Sequence, residues 1–227
     1  MTEDFREGLK RQISLVLRSH PEFFNHYHQH PWLTGALGDP QSAVWFVGEN
    51  PSLGQVERVQ DPQGGPPTEE AQWWASRGDR LFRDMLVTHG FKSPPAEAHG
   101  GWACYITNVI KEADYAQRWR ESPVARRRAA AIAWAPVLRW ELSHGNPRVV
   151  VALGKNVSTT LKQLEADGLV KLPDLKMVQH YSYVAMRPRG RLGPMHPQRV
   201  AEYDAEFAEI AKLARADRTR TPHQPLD

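Results

Sequence analysis

Apolar residues along the chain follow two spacings, one typical of amphipathic helices and the other of short buried strands. They recur every three or four positions in residues 5–18, 78–89 and 197–215, so each stretch is predicted to be a helix with one buried face. Four short apolar runs lack that spacing and are predicted to be buried strands. The predicted strands cover residues 43–47, 102–106, 148–153 and 176–179.

The predicted strands alternate with helices along the chain. Ser122 followed by Pro123 is typical of a helix start, with Ser at the N-cap and Pro in the first turn, and this helix is predicted to end near Gly145. Residues 156–166 form another predicted helix. Strands that alternate with helices favour an α/β fold in which the four strands form a parallel sheet.

The composition is typical of a globular protein with a sizeable core. Of the 227 residues, 41% are hydrophobic and 24% are charged, which excludes a disordered chain. We predict one domain over residues 1–217 and a frayed tail over residues 218–227. The formal net charge of +3 permits an anionic partner without requiring one. Cys104 is the single cysteine, which excludes a disulfide framework, a zinc ribbon and an iron–sulfur site held by four cysteines.

We expect neither secretion nor membrane insertion. The first residues of the chain are charged, and its longest mostly apolar run, residues 129–138, is too short to span a membrane and contains Pro136. A single cysteine also favours a cytoplasmic protein, associated with the nucleoid if the source is bacterial. The sequence implies no obligate protein partner.

Polar side chains follow the predicted strands at their carboxyl ends, where parallel sheets bind ligands. Glu49 and Asn50 come after the first strand, Asn108 after the second and His180 after the fourth. An amide suits the donor–acceptor edge of a pyrimidine, a histidine suits a developing oxyanion, and a carboxylate suits a water or a positive charge. Neither a Gly-x-Gly-x-x-Gly nor a Walker motif occurs, so we expect no nucleotide cofactor.

Four segments, in this order, resemble motifs of the uracil-DNA glycosylase superfamily. VWFVGENPS (residues 44–52) resembles the first motif, and YITNVIK (105–111) resembles the strand whose Asn contacts uracil in the iron–sulfur type. VVVALGKNVSTTL (149–161) resembles the third strand and its helix. HYSYVAMR (180–187) resembles the second motif, His-Pro-Ser followed by a loop that enters DNA. The resemblance extends over about residues 44–213.

The chain also departs from the superfamily's patterns. It lacks the four cysteines of the iron–sulfur type, and its second motif has His-Tyr-Ser in place of His-Pro-Ser. Its first motif contains both Glu49 and Asn50, which combines features of two branches. These departures leave the branch and the excised base open.

The resemblance implies a three-layer α/β domain around a central four-stranded parallel sheet. It implies a monofunctional DNA glycosylase that flips a base out of DNA and hydrolyses its N-glycosidic bond without a metal or an organic cofactor. In that mechanism Asn50 holds the attacking water, Asn108 hydrogen-bonds the base edge and His180 stabilises negative charge on the base. Glu49 is a further catalytic candidate.

Candidate substrate and DNA contacts also come from the resemblance. Gly48, Pro51 and Ser182 are expected to contact the substrate, and Trp73 or Trp74 to stack on the base.

Residues 175–201 contain no Asp or Glu but several basic residues, as phosphate contacts require. Within that stretch the candidate phosphate ligands are Arg187, Arg189 and Arg191. Val184, with Met186 next, is the candidate apolar residue that fills the gap left by a flipped base.

Each candidate also has a purely structural interpretation. Asn50 and Asn108 can close turns, Glu49 can cap a helix, and His180 can be a hydrogen-bonded histidine without a catalytic role. The two tryptophans can belong to the core, and the basic stretch can be ordinary surface. We interpret Arg126, Arg127 and Arg128 as a solvated helix face, and predict no metal site at His26, His28 and His30.

Two other functions remain open on the sequence alone. One is a glycosylase for a bulkier modified pyrimidine or a deaminated purine. The other is a nucleic-acid-binding module that has the fold but does not hydrolyse.

Overall fold

The computed structural model describes residues 2–23, 36–53, 76–95, 100–186 and 194–218. Within these residues the chain forms an α/β fold with helices on both faces of a mostly parallel sheet, which confirms the predicted fold class. The strands are β1 (Leu37–Gly38), β2 (Val44–Gly48), β3 (Tyr105–Asn108), β4 (Val149–Leu153) and β5 (Asp174–Val178). The helices are α1 (Glu3–Ser19), α2 (Arg77–Thr88), α3 (Ala116–Glu121), α4 (Val124–His144), α5 (Lys155–Ala166), α6 (Tyr181–Val184) and α7 (Pro197–Arg218), with a 3-10 turn at Pro21–Phe23.

The strand order in the sheet is β1-β3-β2-β4-β5, and the four predicted strands β2 to β5 are parallel. The predicted count of four is one short, because β1 pairs antiparallel with β3 at the edge. Two residues are too few to show a period of two in the sequence. The predicted second strand also begins too early, since Trp102 instead forms an isolated bridge with Lys92.

Alternate side chains of β2 point to opposite faces of the sheet, and this separates the core into two layers. Trp45 and Val47 lie in one cluster with α1, α4 and α5, where Trp45 contacts Tyr105 at a ring-centroid distance of 4.6 Å. Val44 and Phe46 lie in the other with α2, α6 and α7. The three-layer arrangement follows directly from this alternation.

Three local features differ from the sequence prediction. Ser122 is not the N-cap of α4: it is the C-cap of α3, its hydroxyl donates to the carbonyl of Arg118 at 3.0 Å, and Pro123 is the N-cap of α4. Neither of the short helices α3 and α6 was predicted, and α6 directly follows the fourth predicted strand. The predicted frayed tail lies outside the described residues apart from its first residue, Arg218, the last of α7.

Candidate active site

The segments that follow β2 and β3 stay hydrogen-bonded to one another beyond the ends of the strands. Backbone N–H groups of Val109, Ile110 and Asp114 donate to the carbonyls of Gly48, Glu49 and Pro51 at 2.9, 3.0 and 3.2 Å, respectively. The N–H of Leu53 returns a bond to the carbonyl of Asp114 at 2.9 Å. Residues 48–53 and 108–114 therefore form one hydrogen-bonded unit that carries Glu49, Asn50 and Asn108.

Asn50 is half-buried, and its amide nitrogen faces the neighbouring segment. The nitrogen donates to the carbonyls of Glu112 and Pro51, both at 3.4 Å. A carboxamide whose nitrogen faces protein carbonyls presents its oxygen in the other direction as an acceptor. That oxygen can accept a hydrogen bond from a water molecule.

Glu49, beside Asn50, faces an arginine of helix α4. Its Oε1 lies 3.8 Å from Nη1 of Arg127, and both side chains are about one quarter exposed. The contact supplies a positive charge beside the carboxylate at the strand end.

The neighbouring Arg126 lies against the same edge of the sheet. Its Nη2 donates to Oε1 of Glu112 at 2.8 Å, and its guanidinium lies 5.2 Å from the ring centre of Trp119. Burial raises the pKa of Glu112, and the hydrogen bond from Arg126 opposes that shift.

The interpretation as a solvated face is therefore wrong for Arg126 and Arg127, whereas Arg128 is exposed as predicted. The first two face the loops of the site, and Arg128 pairs with Asp167 at 3.3 Å. The sequence signal for Arg126 and Arg127 was their place in the first turn of a helix, but nothing showed which way that turn faces.

Gly48 and Asn108 are register partners on β2 and β3. A methyl group added at Gly48 would lie 2.3 Å from Oδ1 of Asn108, so only glycine leaves room for the Asn108 side chain in this position. Gly48 and Pro51 are both buried, and the carbonyl of Pro51 anchors the loop. Their direct contact with a substrate stays a prediction.

His180 is the N-cap of α6, and its ring is fixed in one tautomer. Its Nδ1 accepts a hydrogen bond from the N–H of Ser182 at 3.1 Å, which leaves the proton on Nε2. Burial lowers the pKa of His180 from its ordinary value of 6.5, so the ring is neutral at pH 7. The ring also stacks on Tyr181 at a centroid distance of 4.4 Å. His180 therefore presents a neutral N–H donor.

Gly154, at the end of β4, allows His180 to lie close to the sheet. Its φ of +98° suits glycine, and an added Cβ would lie 3.0 Å from Cβ of His180. Because β4 lies between β2 and β5, the loops that carry Asn50 and His180 are about 10 Å apart, two strand spacings. Both loops therefore lie at the carboxyl edge of the sheet, with the end of β4 between them.

Helix α6 corrects the prediction for the residue that enters DNA. Val184 is fully buried in the core with α2 and α7, so it is not available to fill a gap in a base stack. Its neighbours Tyr183 and Met186 are 49% and 57% exposed, and the guanidinium of Arg199 lies 4.5 Å from the Tyr183 ring centre. Ser182 is exposed on the same turn. Tyr183 is therefore an additional candidate, which the sequence did not indicate because α6 itself was not predicted.

Several predicted residues lie outside the described part of the chain. These are Trp73, Trp74, Arg187, Arg189 and Arg191, together with His26, His28 and His30. The described chain resumes at Ser76, the N-cap of α2, and α2 packs at Gly78 against Tyr181, with an added Cβ 3.0 Å from that ring.

Neither metal clusters nor membrane helices are found in the described ranges. No group of three or more His, Cys, Asp or Glu side chains there could hold a metal ion. None of the helices in those ranges is long and apolar enough to cross a membrane.

Comparison with known proteins agrees with the resemblance seen in the motifs. The family model of the uracil DNA glycosylase superfamily matches residues 36–211, most of the 227-residue chain. A search of curated proteins finds no match. The matched range contains Asn50, Asn108 and His180. The chain therefore belongs to the uracil DNA glycosylase superfamily.

Proposed function

We propose that this protein is a monofunctional DNA glycosylase that removes uracil or a related altered base after flipping it out of the DNA toward the carboxyl edge of the sheet. The observation that carries the proposal is that a neutral N–H donor, His180, and two amides, Asn50 and Asn108, lie beyond or at the carboxyl ends of parallel strands of one sheet. Hydrolysis of an N-glycosidic bond needs these groups, because the base leaves with negative charge and water attacks from the sugar side.

The reaction can be written with the residues in named roles. The bond between C1′ and the base nitrogen breaks, and its electron pair stays on the base. Nε2–H of His180 donates to the base oxygen on which that charge accumulates, while Asn108 hydrogen-bonds the base edge. The water held by the Asn50 carboxamide oxygen forms a bond to C1′ and transfers a proton to the neighbouring Glu49 carboxylate.

Base release from a panel of labelled oligonucleotides tests the proposal. The panel contains uracil, a bulkier modified pyrimidine and the deaminated purines hypoxanthine and xanthine, each in single and double strands. We expect release of uracil or a close relative, with strand cleavage only after alkali, as for a monofunctional enzyme. Release of a deaminated purine or a bulkier pyrimidine instead of uracil would support the alternative glycosylase activity. Binding without any release would mean a non-catalytic module.

We expect Asn108→Asp to shift the preferred base toward cytosine. The substitution replaces an amide donor with a carboxylate that only accepts hydrogen bonds, and the amino group of cytosine supplies the missing hydrogen. The ratio of cytosine to uracil release by the variant and the wild type measures the shift. Asn146→Asp, an exposed amide outside the site, is the matched control. An unchanged ratio at unchanged stability would make Asn108 a structural residue.

We expect Tyr183→Ala and Met186→Ala to slow excision from duplex DNA and to spare single strands, where no gap needs filling. Contact between an aromatic ring and a base is worth about 1–3 kcal/mol, so duplex excision by Tyr183→Ala should fall by roughly 5- to 150-fold. The control is Leu213→Ala. It truncates a 39% exposed apolar residue near the carboxyl end of α7, away from Arg199. Equal slowing on both substrates would show that neither residue fills the gap.

A further inference from the structure

An ion pair that is completely buried lies behind the carboxyl end of β3. Nζ of Lys111 is 2.8 Å from Oε2 of Glu141, and both side chains are 0% exposed. Burial lowers the pKa of Lys111, and the carboxylate of Glu141 opposes that shift. Replacing a buried pair of this kind with apolar residues of similar size is often neutral or stabilising, so stability alone does not account for it.

The pair connects helix α4 to most of strand β3. Besides Glu141, Lys111 donates to the hydroxyl of Thr107 at 2.5 Å and to the main-chain carbonyl of Asn108 at 2.8 Å. Oε1 of Glu141 accepts from the hydroxyls of Tyr105 and Thr107, both at 2.8 Å. Three of the four β3 residues therefore hydrogen-bond to this pair.

The contact with the Asn108 carbonyl fixes the residue at the point where the strand ends. The ammonium of Lys111 donates to this half-buried carbonyl from a side chain that is itself fixed by two other partners. On the opposite side, Gly48 leaves space for the Asn108 carboxamide. The main-chain carbonyl of Asn108 is thus held by Lys111, and its carboxamide occupies the space that Gly48 leaves.

We propose that Lys111 and Glu141 are positioning residues that set the direction of the Asn108 carboxamide and thereby the choice of base. This inference rests on the proposed role of Asn108 in base recognition. A positioning role also explains why a charged residue occupies position 111. An apolar side chain there would remove the hydrogen bond that Lys111 donates to the Asn108 carbonyl.

The double variant Lys111→Met/Glu141→Gln tests the inference with the fold kept intact. It removes both buried charges, and the glutamine retains an oxygen for Tyr105 and Thr107. We expect single-turnover excision of the preferred base to fall about ten- to 100-fold, as for a misplaced substrate-binding group, and the rate ratio between the preferred and the next-best base to fall toward one.

Two further measurements separate positioning from loss of stability and from failure of the proposed function. Val137→Ala truncates a fully buried residue of the same helix and should leave the base ratio unchanged. In ¹⁵N-labelled protein, the side-chain amide signals of Asn108, assigned by their absence in Asn108→Asp, should move in the double variant and stay in Val137→Ala.

The outcomes decide the two hypotheses independently. Unmoved Asn108 signals, or a wild-type base ratio in an active double variant, would overturn the positioning role. If the wild-type protein releases no base from the panel, the proposed function fails, and the Asn108 signals alone then decide whether the ion pair positions this residue.

Discussion

Replacing Asn50 with alanine should lower the single-turnover rate of base release by at least about 100-fold while DNA affinity stays near the wild-type value. The carboxamide oxygen holds the attacking water only for the reaction, and positioned groups of this kind typically contribute about 10²–10⁴-fold. The lost hydrogen bond to the Glu112 carbonyl, at 3.4 Å, should cost at most about 1 kcal/mol of stability.

The control for this variant is Asn146→Ala, which removes an exposed amide from the loop before β4, outside the site. Rates measured with enzyme in excess separate chemistry from product release, and a thermal unfolding curve verifies the fold. A wild-type rate for Asn50→Ala would remove Asn50 from the mechanism and leave it as a loop residue that binds Glu112 and Pro51.

His180→Ala should lower the same rate by about 10²–10³-fold, the usual cost of removing one donor to a developing oxyanion. His144→Ala, an exposed histidine at the end of α4, should have no such effect. A loss much smaller than tenfold would mean that the base does not leave as an anion stabilised by this ring.

The pH dependence of stability provides a second measurement for the same residue. Burial lowers the pKa of folded His180 below 6.5, so the unfolded chain takes up a proton at this position at higher pH than the folded chain does. The unfolding free energy of the wild type should therefore fall, relative to His180→Ala, as the pH decreases below about 6.5. A constant difference between the two proteins from pH 7.5 to 5 would contradict a lowered pKa of His180 in the folded protein.

The sequence predicted β2 and β4 well because both are short apolar runs that end at or just before a glycine. Strand β5 begins two residues earlier than predicted, at Asp174, because its first residues are polar or partly exposed. Val44–Gly48 and Val149–Leu153 are buried at every position, and such strands differ clearly from amphipathic helices. The two-residue strand β1 and the four-residue helix α6 have no such pattern. They depend on tertiary contacts, such as the stacking of Tyr181 on Phe82 at 5.3 Å.

The same limit applies to the candidate site. Asn50, Asn108 and His180 could be proposed from their positions after strands, since parallel strands end at one edge of a sheet. The burial of Val184 could not, because one unpredicted turn of helix decides which of four neighbouring side chains faces the core. The contacts of Arg126 and Arg127 with Glu112 and Glu49 likewise join residues distant in sequence, which periodicity does not report.

The close approach of Gly48 and Asn108 restricts the order in which this site can change during evolution. Any side chain at position 48 collides with the Asn108 carboxamide, whose Oδ1 lies 2.3 Å from where the first added carbon would be. A larger residue at position 48 therefore displaces the Asn108 carboxamide, whereas a shorter residue at position 108 removes the contact beforehand. The two positions are thus coupled, and a lineage that changes residue 108 first avoids a displaced amide as its intermediate.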